Sequence, residues 1–289
     1  MDVATRIEKA LTTAVARADG RVCPPRLAAA LRHAVFPKGS RIRPRLCLAV
    51  ADACGGQNPA VADAAAAAIE FLHCASLVHD DLPCFDDAAT RRGRPSVHAA
   101  FGEPLAVLAG DALIVLAFET IAREASCKPE LLPGLLLSLS RAAGAPFGIA
   151  AGQAWECEPM IDLAHYHRAK TGALFVAAAV AGAAAAGAGP GPWHLFGEHL
   201  GQAYQVADDL RDSIGSAEDL GKPVHQDEAL GRPNAVLRLG VDGAVAWLEE
   251  LVLDAVKAIP DCAGAGDLRS LIASEARRLV PKELARHAA

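Results

Sequence analysis

Two clusters of carboxylates, each followed by basic residues, are the part of this sequence with the most definite chemistry. Each cluster combines several aspartates with cations farther along the chain: Asp80, Asp81, Asp86 and Asp87 before Arg91, Arg92 and Arg94, and Asp208, Asp209 and Asp212 before Lys222 and Arg232. Mg²⁺ prefers oxygen ligands and is usually held by one or two carboxylates together with substrate phosphates. Basic side chains nearby would bind the same phosphates. The two clusters therefore predict a metal-bridged polyphosphate site.

Each cluster taken singly has a simpler interpretation, because a pair of aspartates at a helix end can be a cap or a solvated terminus. A calcium loop is disfavoured, since neither segment has the alternating Asp-x-Asp-x-Asp-Gly and the distal Glu of an EF-hand. The presence of two clusters, each with basic neighbours, is what favours magnesium and phosphate.

Further phosphate ligands are predicted upstream of the first cluster. Arg41 and Arg43 alternate in a loop with Lys38, Gly39 and Pro44, and could present two guanidinium groups to phosphate oxygens. His73 precedes Asp80 by seven residues and so lies on nearly the same helix face. A solvated basic loop and a core histidine are the alternatives for these residues.

The elements that must position these residues are helices. Long proline-free stretches exceed the length of ordinary strands, at residues 60–82, 105–128, 160–189, 193–222, 234–259 and 261–280. Their interiors are rich in helix-forming Ala, Leu, Glu and Arg, and strand-like alternation between turn signals is missing. No linker or repeat divides residues 1–289. We therefore predict an all-α, single-domain bundle of about ten helices.

The helix boundaries place both acidic clusters. Pro59 suits a first helical turn and Pro83 stops the helix, so Asp80 and its neighbour lie at the C-terminal end. Asp208 and Asp212 are spaced i, i+4 on a second helix, where their charges repel. Helix C-termini also carry the negative end of the macrodipole. Acidic residues at these ends therefore predict a compensating cation.

Composition excludes several classes of function. The formal net charge of −6 and pI near 5.9 argue against a general nucleic-acid binder. Eight scattered cysteines without CxxC spacing are typical of thiols kept reduced in the cytosol. The uncharged run Gly172 to Gly189 is long enough to span a membrane, but its Ala and Gly content predicts a buried helix. Charges near the N-terminus argue against a signal peptide, so we predict a cytoplasmic protein without a membrane segment.

These residues and their order resemble the trans-prenyl diphosphate synthase family, most closely its bacterial geranylgeranyl diphosphate synthases of the carotenoid-pathway type. The resemblance spans nearly the whole chain. It is carried by a series of motifs: Gly39-Ser40-Arg41-Ile42-Arg43-Pro44, His73, His79-Asp80-Asp81-Leu82-Pro83-Cys84-Phe85-Asp86, Arg91-Arg92-Gly93, Gly152-Gln153, Lys170-Thr171-Gly172-Ala173-Leu174, Gln205 with Asp208, Asp209 and Asp212, and Gly221-Lys222.

The resemblance implies the isoprenoid synthase fold, with a central cavity, and a magnesium-dependent chain elongation. Two or three Mg²⁺ ions, held by Asp80, Asp86 and Asp208, would bridge to the diphosphate of an allylic substrate and draw it off. Isopentenyl diphosphate would attack the resulting allylic cation and then lose a proton, which leaves a chain five carbons longer. The cavity must exclude water to protect the cation.

The resemblance also divides the site residues by role. The six aspartates of the two motifs are catalytic, together with Lys170, Thr171 and Gln205. The allylic diphosphate is faced by Arg91, Lys170, Thr171, Gln205, Lys222 and Arg232. Isopentenyl diphosphate is faced by His73, Arg43 and Arg92, with Ser40 and Arg41 in the same basic loop.

Two positions depart from the family pattern. Ser40 stands where Lys is usual, which removes a positive charge from the isopentenyl diphosphate site, and Lys38 or Arg41 could compensate. Arg232 replaces Lys and keeps its charge.

Product length is predicted from the helix before the first cluster. Ala75 and Ser76 lie about one turn deeper than Asp80, and both are small, so a growing chain could pass them toward Leu72. We therefore expect geranylgeranyl diphosphate (C20), with farnesyl diphosphate (C15) as the alternative. The resemblance also suggests a homodimer to which the apolar helix near 103–125 contributes.

Other functions agree less well with the motifs. A class I terpene cyclase normally replaces the second aspartate motif, which is intact here at Asp208, Asp209 and Asp212. An inactive partner subunit would be expected to have lost one acidic motif. A plain helical scaffold would leave the combination of acidic and basic residues unexplained.

Overall fold

The computed structural model describes residues 1–20, 22–36, 39–214 and 234–279, and these are almost entirely helical. The elements in chain order are α1 (Val3–Ala18), α2 (Pro25–Val35), α3 (Ile42–Ala53), α4 (Pro59–Asp80), β1 (Thr90–Arg91), β2 (Arg94–Pro95), α5 (Val97–Phe101), α6 (Glu103–Glu124), α7 (Leu132–Ala143), α8 (Ile149–Trp155), α9 (Leu163–His167), a π-helical turn (Arg168–Gly172), α10 (Ala173–Ala185), α11 (Trp193–Ile214), α12 (Ala235–Lys257) and α13 (Ala265–Leu279). The all-α prediction is confirmed.

The central helix of the bundle is α4, which begins and ends at the predicted residues. It packs against α3, α6 and α10, and its alanine run 64–68 is fully buried. Small side chains let neighbouring helices approach on several sides, and the many contacts compensate for the little area that each alanine buries. This packing fixes the end of α4, and with it the first acidic cluster.

A second hydrophobic cluster lies between α11 and α12. It is formed by one face of each helix: Ala203, Val206, Ala207 and Leu210 with Ala244, Leu248 and Leu251. On its other side α11 packs against α10. The helix that carries the second acidic cluster is thereby held between two neighbours. That residues 1–289 form one domain stays a prediction, since 215–233 and 280–289 lie outside the described residues.

The uncharged run 172–189 forms the buried helix α10. A Cβ atom at Gly182 would lie 2.4 Å from the carbonyl oxygen of Cys47, so this glycine lets α10 and α3 approach closely. Among the helices that the structure describes, α4 and α6 are long and apolar enough to cross a membrane. In its most apolar stretch α4 is 78% buried, as expected of a core helix, whereas α6 is 44% buried.

Candidate active site

The first acidic cluster forms a group of three carboxylates at the end of α4. The following loop folds back, so that the Asp86 amide donates to the Asp80 carbonyl oxygen over 3.0 Å. One carboxylate oxygen from each of Asp80, Asp86 and Glu156 lies within 4.8 Å of the others. Three hard oxygen ligands at this spacing fit a divalent cation such as Mg²⁺. The sequence predicted the two aspartates but not Glu156.

Lys170 forms ion pairs with two carboxylates of this group. Its Nζ donates to Asp80 Oδ1 over 3.3 Å and to Glu156 Oε1 over 2.5 Å. Lys170 lies in the π-helical turn, a geometry that is common at functional sites. The turn packs directly on α8, because a Cβ atom at Gly152 would lie 2.4 Å from the Lys170 backbone nitrogen. The predicted pair Gly152-Gln153 thus supports the turn that carries Lys170.

Asp81 is not in the group of three carboxylates found among the described residues, and it forms a partly buried ion pair with Arg91. Arg91 donates to its Oδ1 from Nε over 2.9 Å and from Nη2 over 2.5 Å. Burial raises the pKa of Asp81, and hydrogen bonding to Arg91 opposes that shift. The same Nη2 lies 3.9 Å from Asp80 Oδ2. Asp81 therefore holds Arg91 beside the candidate metal ligand Asp80.

A cavity of about 330 Å³ opens next to these carboxylates. It is lined mainly by basic and polar residues: Ser40, Arg41, Ile42, Arg43, Glu70, His73, Leu77, Arg91, Arg92, Thr171, Tyr204, Gln205 and Asp208. Predicted residues of both substrate sites thus line one cavity, although Lys170 is not among its lining residues. Its positive groups suit diphosphate oxygens.

Arg43 is a cation of the cavity that lies over two aromatic rings. Its guanidinium carbon lies 4.9 Å from the ring centre of Phe175 and 5.7 Å from that of Tyr204. Nη1 lies 3.4 Å from His73 Nε2, and Nε is buried without a hydrogen-bond partner among the described residues. Burial and the neighbouring arginines hold the pKa of His73 well below its ordinary value. Neutral His73 can accept a hydrogen bond from Arg43 Nη1. The Nε of Arg43 stays available to donate to a ligand.

Arg41, predicted to face the substrate, is occupied by internal contacts. Its Nε donates to Glu8 over 2.9 Å, and its Nη1 donates to buried Glu70 over 2.6 Å. Nη2 donates to the carbonyl of Val35 over 2.8 Å. These contacts tie α1 and α4 to the basic loop. The suggestion that Arg41 compensates for Ser40 therefore finds no support, and Lys38 lies outside the described residues.

Arg92 lies against the same basic loop. A Cβ atom at Gly39 would lie 2.7 Å from its guanidinium carbon. Glycine therefore lets the cation lie on the backbone next to Ser40.

The second acidic cluster consists of one half-buried and two buried carboxylates. Asp208 lines the cavity, its side chain is 42% exposed, and Arg211 Nη1 lies 3.7 Å from its Oδ1. Asp209 instead accepts from Gln205 Nε2 over 2.8 Å and from the Ala235 amide over 2.7 Å. It thereby anchors the start of α12, and its catalytic role stays a prediction. Asp212 is buried on the same helix.

A hydrogen-bonded chain connects the π-helical turn to this cluster. The Thr171 hydroxyl donates to Gln205 Oε1 over 2.5 Å, and Gln205 then donates to Asp209. The predicted residues Lys222 and Arg232 lie outside the described residues. Asp208 is not part of the group of three carboxylates found among the described residues, but it shares the cavity with Arg91 and Thr171.

Comparison with known proteins adds a decisive observation to this geometry. The polyprenyl synthetase family profile matches residues 24–256, most of the chain. The chain belongs to the polyprenyl synthetase family. It is 53% identical over 280 residues to a geranylgeranyl diphosphate synthase of Cereibacter sphaeroides and 50% identical to that of Rhodobacter capsulatus, each alignment covering 97% of both chains.

Solved structures of similar proteins share the fold of this polyprenyl synthetase. A Helicobacter pylori geranyltransferase complexed with magnesium and isoprenyl diphosphate superimposes with a TM-score of 0.79 at 28% identity, covering 96% of this chain and 97% of that one. The combination of carboxylates and a cationic cavity is thus found in the expected helical fold.

The predicted chain-length residues of this polyprenyl synthetase lie on α4. Ala75 and Leu72 are buried in the main core, and Ser76 is half-buried, with its hydroxyl donating to the His73 carbonyl oxygen over 2.8 Å. The structure therefore places small residues at this level. Their effect on product length stays a prediction.

Several residues of this synthetase site were missed by the sequence reasoning. Glu156 joins the metal candidates, Tyr166 donates to Glu156, and Tyr204 packs on Arg43. The position of Glu156 three residues after Gln153 was the available signal, because a short helical segment brings i and i+3 together. Gln153 Nε2 indeed donates to Glu156 Oε2 over 3.1 Å.

Proposed function

We propose that this chain is a magnesium-dependent prenyltransferase that condenses isopentenyl diphosphate with allylic diphosphates to give geranylgeranyl diphosphate. The observation that carries the proposal is the group of Asp80, Asp86 and Glu156 beside a cavity lined with arginines. Geranylgeranyl diphosphate synthases at 53% and 50% identity support the C20 product.

Asp80, Asp86 and Asp208 would hold two or three Mg²⁺ ions. Glu156 lies beside Asp80 and Asp86. Bound Mg²⁺ supplies positive charge that stabilises a departing diphosphate. Lys170 and Arg91 add fixed cations at the same place, and Lys170 lies within 3.3 Å of Asp80. These preorganised charges stabilise the negative charge that grows on the leaving group.

Isopentenyl diphosphate would occupy the deeper side of the cavity. Arg43 and Arg92 bind its diphosphate there, and the buried Nε of Arg43 is a donor that such an oxygen can satisfy. Neutral His73 orients Arg43 without adding charge. The apolar rings of Phe175 and Tyr204 on the same wall exclude water from the reacting carbon chain.

Incubation of the purified protein with isopentenyl diphosphate, Mg²⁺ and each of the C5, C10 and C15 allylic diphosphates tests the proposal. We expect C20 as the main product from every starter and no product with EDTA. Products that stop at C15 would establish the farnesyl alternative. Absence of any elongation with all three starters would refute the prenyltransferase assignment.

The assembly proposed is a homodimer in the cytoplasm. Apolar side chains are exposed along α6: Val107, Leu108 and Val115 are 43%, 53% and 65% exposed. An exposed stripe of this kind is typical of a protein interface. All eight cysteines are free thiols, as expected in a reducing compartment.

A further inference from the structure

Tyr166 donates its hydroxyl hydrogen bond into the first carboxylate group. It is 7% exposed on α9, directly before the π-helical turn. Its hydroxyl lies 2.5 Å from Glu156 Oε1, and the Lys170 ammonium lies 5.7 Å from the centre of its ring. One buried side chain thus touches both members of the Glu156 and Lys170 ion pair.

Glu156 is held at both of its oxygens. Tyr166 and Lys170 donate to Oε1, and Gln153 donates to Oε2 over 3.1 Å. The side chain of Glu156 is 12% exposed. Because Tyr166 and Lys170 share one oxygen, the position of the tyrosine hydroxyl determines where the carboxylate meets the ammonium group.

This arrangement resolves a local electrostatic conflict. Three carboxylates within 4.8 Å repel one another, and a long, flexible lysine beside them has several places to bind. The neutral hydroxyl stabilises Glu156 through a charge-assisted hydrogen bond without adding a second cation. The ring adds a cation–π contact with the same ammonium group. Lys170 is consequently directed between Glu156 and Asp80.

We propose that Tyr166 is a positioning residue. Through Glu156 it holds Lys170 and the carboxylate group of Asp80, Asp86 and Glu156 in place for binding of the allylic diphosphate. The inference rests on the proposed function, because it assigns Lys170 to that substrate. Isopentenyl diphosphate, bound on the Arg43 side of the cavity, is outside its influence.

Tyr166→Phe tests the inference, because it keeps the ring and removes only the hydroxyl. A hydrogen bond to a charged group is typically worth enough to change affinity on the order of tenfold. We expect a tenfold rise in the KM for geranyl diphosphate and in the Kd for inorganic diphosphate with Mg²⁺, measured by calorimetry. The KM for isopentenyl diphosphate should not change. Ser140→Ala, which removes an exposed hydroxyl on α7 that donates to the Leu136 carbonyl oxygen, should leave both KM values unchanged.

A double-mutant cycle separates positioning from a structural role. In a Glu156→Gln background, Tyr166→Phe should have no further effect on diphosphate binding. Equal, additive effects in both backgrounds, or equal rises in both KM values, would overturn the inference. If Tyr166→Phe fails to fold, Glu156→Asp replaces it, since a shorter carboxylate cannot keep both donors, and unchanged diphosphate binding in that variant counts against the proposal.

The binding measurement also keeps the two hypotheses apart. A wild-type protein that binds Mg²⁺ and inorganic diphosphate but elongates no allylic substrate would refute the proposed function. The comparison of Tyr166→Phe with wild type in that binding experiment would still test the tyrosine.

Discussion

Asp80 and Asp208 lie on different helices, and Arg91, which lies 3.9 Å from Asp80, lines the same cavity as Asp208. Asp80 is near Lys170 and Arg91, and Asp208 lines the cavity with Thr171 and Gln205. Positive charge between the two carboxylates would bind a diphosphate from both sides. Single substitutions of these two aspartates therefore test whether diphosphate release needs both acidic clusters.

Removal of either carboxylate should greatly slow turnover while the helices survive. Loss of one preorganised charge-stabilising group typically costs about 10²- to 10³-fold in kcat, and we expect at least this for Asp80→Ala and for Asp208→Ala in a steady-state assay. Asp87→Ala, at an exposed residue of the same loop, is the matched control. Near-normal turnover with an unchanged circular dichroism spectrum would remove that aspartate from the metal site.

Ser40 leaves the isopentenyl diphosphate side of the cavity one cation short of the family pattern. Because Arg41 is occupied by Glu8 and Glu70, Ser40→Lys should strengthen binding by on the order of 1 kcal/mol for a partly solvated charge near phosphate. The KM for isopentenyl diphosphate should fall about fivefold, and the KM for the allylic substrate should stay the same. No change in either KM would indicate that Arg92 or Lys38 already occupies the place.

At the scale of elements, the site depends on how closely α8 approaches the π-helical turn. Gly152 makes this approach possible, since any Cβ atom there would collide with the Lys170 backbone. A collision with backbone cannot be relieved by a rotamer change, so the two elements would have to separate.

Gly152→Ala should therefore destabilise the protein by about 1–3 kcal/mol, the usual cost of overpacking, and reduce kcat by displacing Lys170. Gly134→Ala on the exposed face of α7 is the matched control, because nothing lies within 4 Å of its added methyl group. That control should be neutral or stabilising. Thermal unfolding and turnover of both variants provide the check, and equal behaviour of the two would contradict the packing argument.

The level of Ala75 and Ser76 on α4 is expected to set product length. A tyrosine at Ala75 would place a ring in the predicted path of the growing chain, and close packing resists such a ring strongly. We expect Ala75→Tyr to shift the main product from C20 to C15 in a chromatographic assay. Ser76→Tyr, at a half-buried residue, should shorten the product as well. It provides a second test if Ala75→Tyr does not fold. A C20 product from both variants would show that other residues limit the chain length.

At the scale of the whole molecule, the exposed apolar stripe of α6 is the surface expected to form the dimer. The double variant Leu108→Asp with Val115→Asp would bury two charges in that interface and should yield a monomer. Light scattering should give twice 29.9 kDa for the wild type and 29.9 kDa for the variant. Leu253→Asp, at a leucine of α12 that is 59% exposed, should stay dimeric. A dimeric double variant would exclude this face.

The sequence by itself determined the helices and several residues of the candidate site. Proline positions and helix-forming interiors predicted α4 to its end residues, and charge spacing identified both acidic clusters, Arg43 and His73. These features depend on local chemistry, because residues within about one turn interact through a fixed geometry. The family motifs added the roles of Lys170 and Gln205.

Only the tertiary structure decided which charges meet. Arg41 pairs with Glu70, Asp209 anchors α12, and Glu156 joins Asp80 from a helix far along the chain. Each contact joins residues that are widely separated in the sequence. Spacing along a helix determines the face on which a side chain lies, but the packing of all helices determines its partner. The side-chain partners at this site are therefore properties of the assembled bundle.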